Sequence, residues 1–440
     1  MLSKNNLKHI LILGIGFFWC SGIYLTQQTY MLTLNDKSIV NIVALLYGSI
    51  SMALGILLFI ILYCKSKNIK LYYILFNLLA IICSFVFFST TNKLVMSICL
   101  CLTCLFSTAG FGAGYHFSLI ALNIEKAYRG RVFAIGYGMG SILTYLVSLL
   151  PTKIYGTISA MLIYIPIIIL NIVLVYQNRD LNIISNEKYT KNYKKYFLII
   201  SLIVLLMSLL SAISTDVIST YIFNMKGLFA NTRIYYCLGL IIAGYLMDKN
   251  KEIFEICTLT SFIFSLLSIV LLNQKISPSL IVALSYFFIG FFVVFRTIIF
   301  INLSDQKKGM IAICAIGLMY SRIMEGLFVI FQKYLIKNYT LLIVIEALIL
   351  CIVLWVYILS YLKNSHTSMN DRVQDIVIKY NLTPQEEKIL NLLIQDLTKK
   401  EIADKLYLSV NTIKIHVTNI YKKTGMKKNE LKEKCKLRVN

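Results

Sequence analysis

A chain of 440 residues that is 58% hydrophobic and only 14% charged, with a mean hydropathy of +0.76, excludes a water-soluble multidomain protein and points to an integral membrane protein. Its net charge of +23 suits an anionic membrane leaflet and nucleic acid better than an acidic substrate. The 11 cysteines sit singly in apolar segments apart from Cys435, which argues for packing residues in a reducing interior and against disulfides.

The first apolar run follows Lys4 and Lys8 and continues to about Leu25 without a small-residue cleavage site, as an uncleaved span would. Further runs, each near the length of about twenty residues that a bilayer requires, lie at 39–63, 71–89, 94–122, 132–150 and 157–176. A polar connection over 177–196, rich in Lys and Tyr, separates them from a second set at 197–223, 230–247, 253–272, 279–303, 310–332 and 340–362. An even number of spans puts both ends on one side. Cations in the loops assigned inside outnumber those outside, Arg233 among the latter, by about two to one, which places that side in the cytoplasm.

The two sets echo each other. Residues 110–143 (GFGAGYHFSLIALNIEKAYRGRVFAIGYGMGSIL) and 290–322 (GFFVVFRTIIFINLSDQKKGMIAICAIGLMYSR) align with one gap, as parallel six-span repeats would. Gly244, Asp248 and Lys249 follow the eighth span in a G-x-x-x-D-K pattern, and Arg129-Gly130-Arg131 leads into Gly136, Gly138 and Gly140. These features resemble the major facilitator superfamily, in its short loop motif and its fourth-to-fifth-span junction. The first half departs from the pattern after span two, where Cys64-Lys65-Ser66-Lys67 replaces the Asp motif and puts an intact transport cycle in question.

Charges inside spans are expensive, about 2.5–3.5 kcal/mol each on insertion scales, and need partners or a watery cavity. His116 lies in the fourth span, Asp216 in the seventh and Arg296 in the tenth. The major facilitator resemblance implies that spans one, four, seven and ten line a central cavity, with Trp19 beside Phe17 and Phe18 as an aromatic wall. Two readings stand: a pocket for a small polar or charged ligand formed by Trp19, His116, Asp216 and Arg296, or an Asp216–Arg296 ion pair holding the bundle, with His116 hydrogen-bonded in the core. Arg322 and Glu325, three residues apart on one helix face, read as a structural pair. Glu346, in the last span, has no partner legible in the sequence.

A polar linker, 363–381, carries Val373, Ile376, Val377 and Tyr380 at amphipathic spacing. The C-terminal domain, 382–440, then reads as short soluble helices. Thr383-Pro384-Gln385-Glu386 and Thr398-Lys399-Lys400-Glu401 are capping boxes. The first opens a helix with Ile389, Leu390, Leu393 and Leu397 at helical period, and the second a shorter one burying Ile402, Ala403 and Leu406. Ser409 caps a third helix whose Val410, Ile413, Val417 and Ile420 form one face and Asn411, Lys414, Ile415, Thr418 and Lys422 another. Gly425 stops it.

The segments LTPQEEKIL, TKKEIADKL and SVNTIKIHVTNIYKKTG resemble the LuxR-type helix-turn-helix family of bacterial transcription regulators. The resemblance implies that Lys414, Ile415 and Thr418 face DNA bases, and that Thr398, Lys400, His416, Asn419 and Lys422 mostly position the DNA backbone. It implies promoter DNA as partner, with RNA polymerase, and a fourth helix over 429–437 that dimerises on DNA; the run MKKNELKEK after Gly425 is a residue shorter than the family's. The expected fold is all-α: a polytopic bundle of about twelve spans in two six-span halves, within 1–362, followed by a four-helix LuxR-type domain. The expected function is a membrane regulator that senses a small molecule or an envelope signal and binds DNA, or else a major-facilitator-like transporter with an attached regulator. No nucleophile–base arrangement, phosphate loop or metal-ligand spacing appears, so no enzyme, metal or cofactor is expected.

Overall fold

In hydrocarbon every backbone N–H and C=O must be satisfied within the segment, so apolar runs of spanning length become helices. The computed structural model describes residues 3–34, 42–66, 68–177, 193–222, 228–273, 278–304, 308–335 and 338–431, and among them there is no strand. The chain divides into Met1–Leu354 and Trp355–Asn440.

The first unit is a bundle of α1 (Lys4–Leu34), α2 (Ser49–Lys65), α3 (Ile69–Ser89), α4 (Lys93–Phe106), α5 (Phe111–Asn123), α6 (Arg129–Ser148) and α7 (Met161–Tyr176). After the 177–196 connection, most of which lies outside the described residues, come α8 (Tyr193–Ile222), α9 (Leu228–Lys249), α10 (Lys251–Asn273), α11 (Pro278–Ser304), α12 (Ile316–Leu335) and α13 (Tyr339–Lys379). The division between units falls inside α13. Nine stretches among the described residues are apolar and long enough to cross a membrane. Helices α6, α9 and α10, with 20, 22 and 23 residues, carry more charge or glycine but reach the same length of roughly 30 Å at about 1.5 Å per residue. They pack in the same bundle, α9 against both α6 and α11, which completes the two six-span halves.

The bundle keeps its polar side chains inside, among an apolar core, and turns apolar ones outward. On α3, Asn77 and Ser84 are buried while Leu71, Leu75 and Ile82 are exposed, the arrangement lipid favours. Where α6 meets α9, a Cβ at Gly130 would strike the Gly244 carbonyl and one at Gly244 would strike the Gly130 carbonyl, so glycine there lets the two backbones touch. Beside that crossing, Asp248 accepts hydrogen bonds from the Gly130 and Arg131 N–H groups at 2.8 and 2.9 Å, and from Arg131 Nε at 3.0 Å. Arg129 donates to Asn302 Oδ1 at 2.9 Å and to the Ala121 carbonyl at 2.6 Å. The two motifs read separately in the sequence therefore form one joint between the halves.

One expected span is not a single helix. The run 94–122 breaks between α4 and α5, where the Ser107 carbonyl accepts the Gly110 and Gly112 N–H groups at 3.2 and 3.0 Å and the Thr108 hydroxyl donates to the Gly16 carbonyl. Apolar content alone does not mark this break, because a small polar pair can satisfy its own backbone.

The second unit holds the rest of α13, then α14 (Pro384–Ile394), α15 (Lys399–Leu406) and α16 (Val410–Thr424). Both expected capping boxes form, and Ser409 accepts the Thr412 N–H. Ile389, Leu390, Leu393, Ile402, Ile413, Val417 and Ile420 make the core. Val373 and Ile376, expected in the linker, belong to that core as well, as does Leu431. The stretch 363–381 is thus no bare tether; its last turns of helix complete the domain. A fourth helix begins just before Leu431, and the rest of the expected 429–437 segment lies outside the described residues.

Candidate nucleic-acid interface and membrane cavity

Helix α16 is held by its apolar row against α14 and α15. Its opposite side carries Asn411, Lys414, Ile415, Thr418 and Lys422, all exposed, at spacings that place them on one face. Ile415 is 62% exposed, an apolar side chain left largely uncovered by the described residues of its domain. His416 and Asn419 flank the strip and are half-buried; His416 Nδ1 has no hydrogen-bond partner among the described residues. Thr418 Oγ1 donates to the Lys414 carbonyl at 2.9 Å. Lys400 is exposed on the first turn of α15, and Thr398 is committed to capping: its hydroxyl donates to the Glu401 carboxylate at 2.8 Å and accepts the Glu401 N–H at 3.3 Å. The Thr398 N–H, donating to the Glu401 carboxylate at 2.7 Å, and then the Thr398 hydroxyl hold that carboxyl below its usual value.

The orientation of α16 depends on Glu386. Its carboxylate accepts the Thr383 N–H at 2.8 Å and the Lys423 ammonium at 2.7 Å, joining the start of α14 to the end of α16. Burial by itself raises this carboxyl, but the Lys423 and Thr383 hydrogen bonds outweigh burial and leave it below the ordinary carboxylate value. Lys423, though exposed, is tied by this bond into the scaffold. A helix presenting Lys, Asn and Thr beside an apolar tip has the dimensions and donors to enter a major groove.

The membrane unit encloses a cavity of about 250 Å³. Its walls come from α1 (Phe17, Cys20, Ser21, Tyr24), the α4–α5 break (Thr108), α6 (Tyr137), α9 (Arg233, Tyr236), α11 (Tyr286, Arg296) and α12 (Arg322, Glu325). Phe17 stacks on Tyr137 with ring centroids 4.4 Å apart. Gly317 lets α12 lie directly on the Arg296 carbonyl, since a Cβ there would collide with it. Arg322 and Glu325 pair at 2.6 Å as the spacing predicted, but they do so on the cavity wall.

Of the four ligand candidates, Arg296 lines the cavity. Trp19 is fully buried against Tyr164, with ring centroids 6.2 Å apart, and is not among the lining residues. His116 is also buried away from the lining, with Nε2 2.9 Å from the Tyr73 hydroxyl, which donates in turn to Asn171. Its place in the two-half alignment matches that of Arg296, but its environment does not. The Asp216 side chain lies outside the described residues, on α8 next to Thr215, which lines the cavity. Arg233, counted in the sequence as a loop cation, stands on α9 with its side chain on the cavity wall. Glu346 finds its partners in the Ser214 and Ser265 hydroxyls, each donating to Oε1 at 3.0 Å.

Residues 380–430 match the family GerE, described as bacterial regulatory proteins, luxR family. The C-terminal domain is a LuxR-type helix-turn-helix. Two curated relatives share this LuxR-type domain. Fimbriae Z protein of Escherichia coli K12 is 40% identical over 68 residues, 16% of this chain and 30% of that protein. Spore germination protein GerE of Bacillus subtilis is 44% identical over 46 residues, 10% of this chain and 62% of that protein. The chain thus spans about a third of the first relative's length, within the LuxR-type region. For the membrane unit, the human organic anion transporter MFSD10 superposes with a TM-score of 0.61 at 10% identity, covering 81% of this chain and 100% of that one. The E. coli fucose:proton symporter FucP gives 0.54 at 11%, covering 80% and 98%. Identities this low show the fold alone: the membrane unit is a helical bundle folded like these two transporters.

Proposed function

We propose that the protein is a multi-pass regulator of the bacterial cytoplasmic membrane, with both termini cytoplasmic, that binds promoter DNA through α16 and responds to a small molecule in its central cavity. The observation that carries the DNA reading is the exposed strip of Asn411, Lys414, Ile415, Thr418 and Lys422 on a helix whose other face is locked in the core. Lys414, Ile415 and Thr418 read bases; Lys400, His416, Asn419 and Lys422 set the helix against the phosphates, while Thr398, its donors taken by Glu401, holds the start of α15. Because the contacts are cationic, affinity falls steeply with salt. The signal acts by binding one conformation of the membrane unit more tightly than another, which is the only way a ligand shifts an equilibrium. No catalytic step is assigned to the chain.

The test is selection of bound duplexes by the full-length protein in lipid nanodiscs, followed by the Lys414→Ala and Thr418→Ala variants. Sequence-selective binding lost in both variants supports the reading. Binding to no duplex, or binding indifferent to both changes, removes it. A reporter fused after Asn440 that is active only outside the cell would remove the topology.

The cavity also supports a second reading, a transporter whose flux is tied to transcription. Accumulation of a solute by the purified protein in vesicles distinguishes it, and ligand binding without accumulation favours the sensor.

A further inference from the structure

The cavity's charge is lopsided. Its described charged lining is three arginines, Arg233, Arg296 and Arg322, against Glu325, and Glu325 is already held by Arg322 at 2.6 Å. Arg296 is only 6% exposed, and neither its Nε nor that of Arg322 has a hydrogen-bond partner among the described residues. The Phe292 ring, 5.6 Å from the Arg296 guanidinium carbon, covers one side of the group but accepts no conventional N–H···O bond. A guanidinium taken out of water with donors unfilled is costly until an anion meets it, and its planar fork matches a carboxylate or phosphate. A cation would meet three like charges with no free carboxylate among the described lining. A neutral solute can accept from these donors but leaves the excess positive charge uncompensated.

The rest of the lining says what the anion is attached to. Phe17 stacked on Tyr137, with Tyr236 and Tyr286 also in the lining, offers flat apolar faces with hydroxyls at their edges. We propose that the cavity binds an organic anion, an aromatic or similarly flat body bearing a carboxylate or phosphate, whose oxygens bridge Arg296 and Arg322 while the body packs on Phe17 and Tyr137. Glu325 is the ligand's competitor: it occupies Arg322 until the incoming oxygens displace it. This rests on the reading of the cavity as the ligand site, and it adds the ligand's class.

Calorimetric titration of the full-length protein in nanodiscs with benzoate and phenyl phosphate, against benzamide and benzylamine as uncharged and cationic counterparts, tests it. At least one of the anions binds about tenfold or more tightly than both counterparts, since charge-assisted bidentate contacts are the strong ones. Arg296→Gln weakens that binding about tenfold or more, Arg296→Lys weakens it less, and Glu325→Gln tightens it by freeing Arg322. Each variant is first checked for an unchanged melting profile. Which of the two anions binds better tells carboxylate from phosphate. Benzamide or benzylamine binding as well as the anions overturns the proposal. So does anion affinity unaltered in both Arg296→Gln and Arg322→Gln, or no anion binding at millimolar concentration. Anion binding that leaves the full-length protein's DNA affinity unchanged supports the anion site and counts against the sensor, so the two ideas fail separately.

Discussion

A carboxylate inside a small basic domain needs a cation, and Glu386 has Lys423 at 2.7 Å together with the Thr383 N–H. Glu386→Ala strands both donors and is expected to lower the stability of the 363–440 fragment by about 2 kcal/mol, read from urea denaturation. The pH dependence follows in sign. A carboxyl held below its ordinary value stabilises the fold fully above the unfolded pKa of about 4.3, and that contribution disappears as pH falls through the lower folded value. Glu386→Gln should therefore flatten the acid limb of the stability profile and leave the neutral region level. On the reading face, Lys422→Ala is expected to weaken DNA binding about evenly across sequences and to reduce the slope of log affinity against log salt by about one, whereas Ile415→Ala leaves the slope alone. The sequence made the Glu386 cap legible because the box is local. The Lys423 bond was not, because it joins residues 37 apart. Arg233, Arg322 and Glu325 were equally out of reach as cavity residues: their spacing says which helix face they share, and only the packed bundle says what that face looks onto.

Helix ends in the C-terminal domain use left-handed residues. Gly425 stops α16 at φ 69°, and a Cβ built there meets nothing within 4 Å, so Gly425→Ala isolates the conformational term. The expected loss is about 1 kcal/mol, measured on the same fragment. Tyr407 performs the corresponding turn after α15 at φ 53° while 95% exposed. Replacement by Gly is expected to stabilise the fragment by up to about 1 kcal/mol, the relief of the left-handed penalty less the added freedom of the unfolded chain. Pattern and caps located α14, α15 and α16 because each rests on contacts three or four residues apart. The break between α4 and α5 escaped, because apolar periodicity carries through it and its stabilising bond, from Thr108 to the Gly16 carbonyl, comes from a distant helix.

At the scale of the whole molecule, the six-plus-six arrangement was legible from run lengths and from the long polar connection, since the bilayer sets the size of every element. The Gly130–Gly244 crossing and the Asp248 joint had been visible only as two separate motifs. Where the reading domain begins was less legible, because Val373 and Ile376 look like the amphipathic end of a linker until the groups that cover them are known. A fragment starting at Leu382 lacks both side chains, and it is expected to be about 2–4 kcal/mol less stable than the 363–440 fragment, by urea denaturation of each. That dependence constrains how such a protein can be cut. A protease severing the chain upstream of Val373 would free a head that stays folded and diffuses to distant operators. One cutting a turn or two later would release a peptide with an open core, marked for destruction, so the site of scission would decide between spreading the message and ending it.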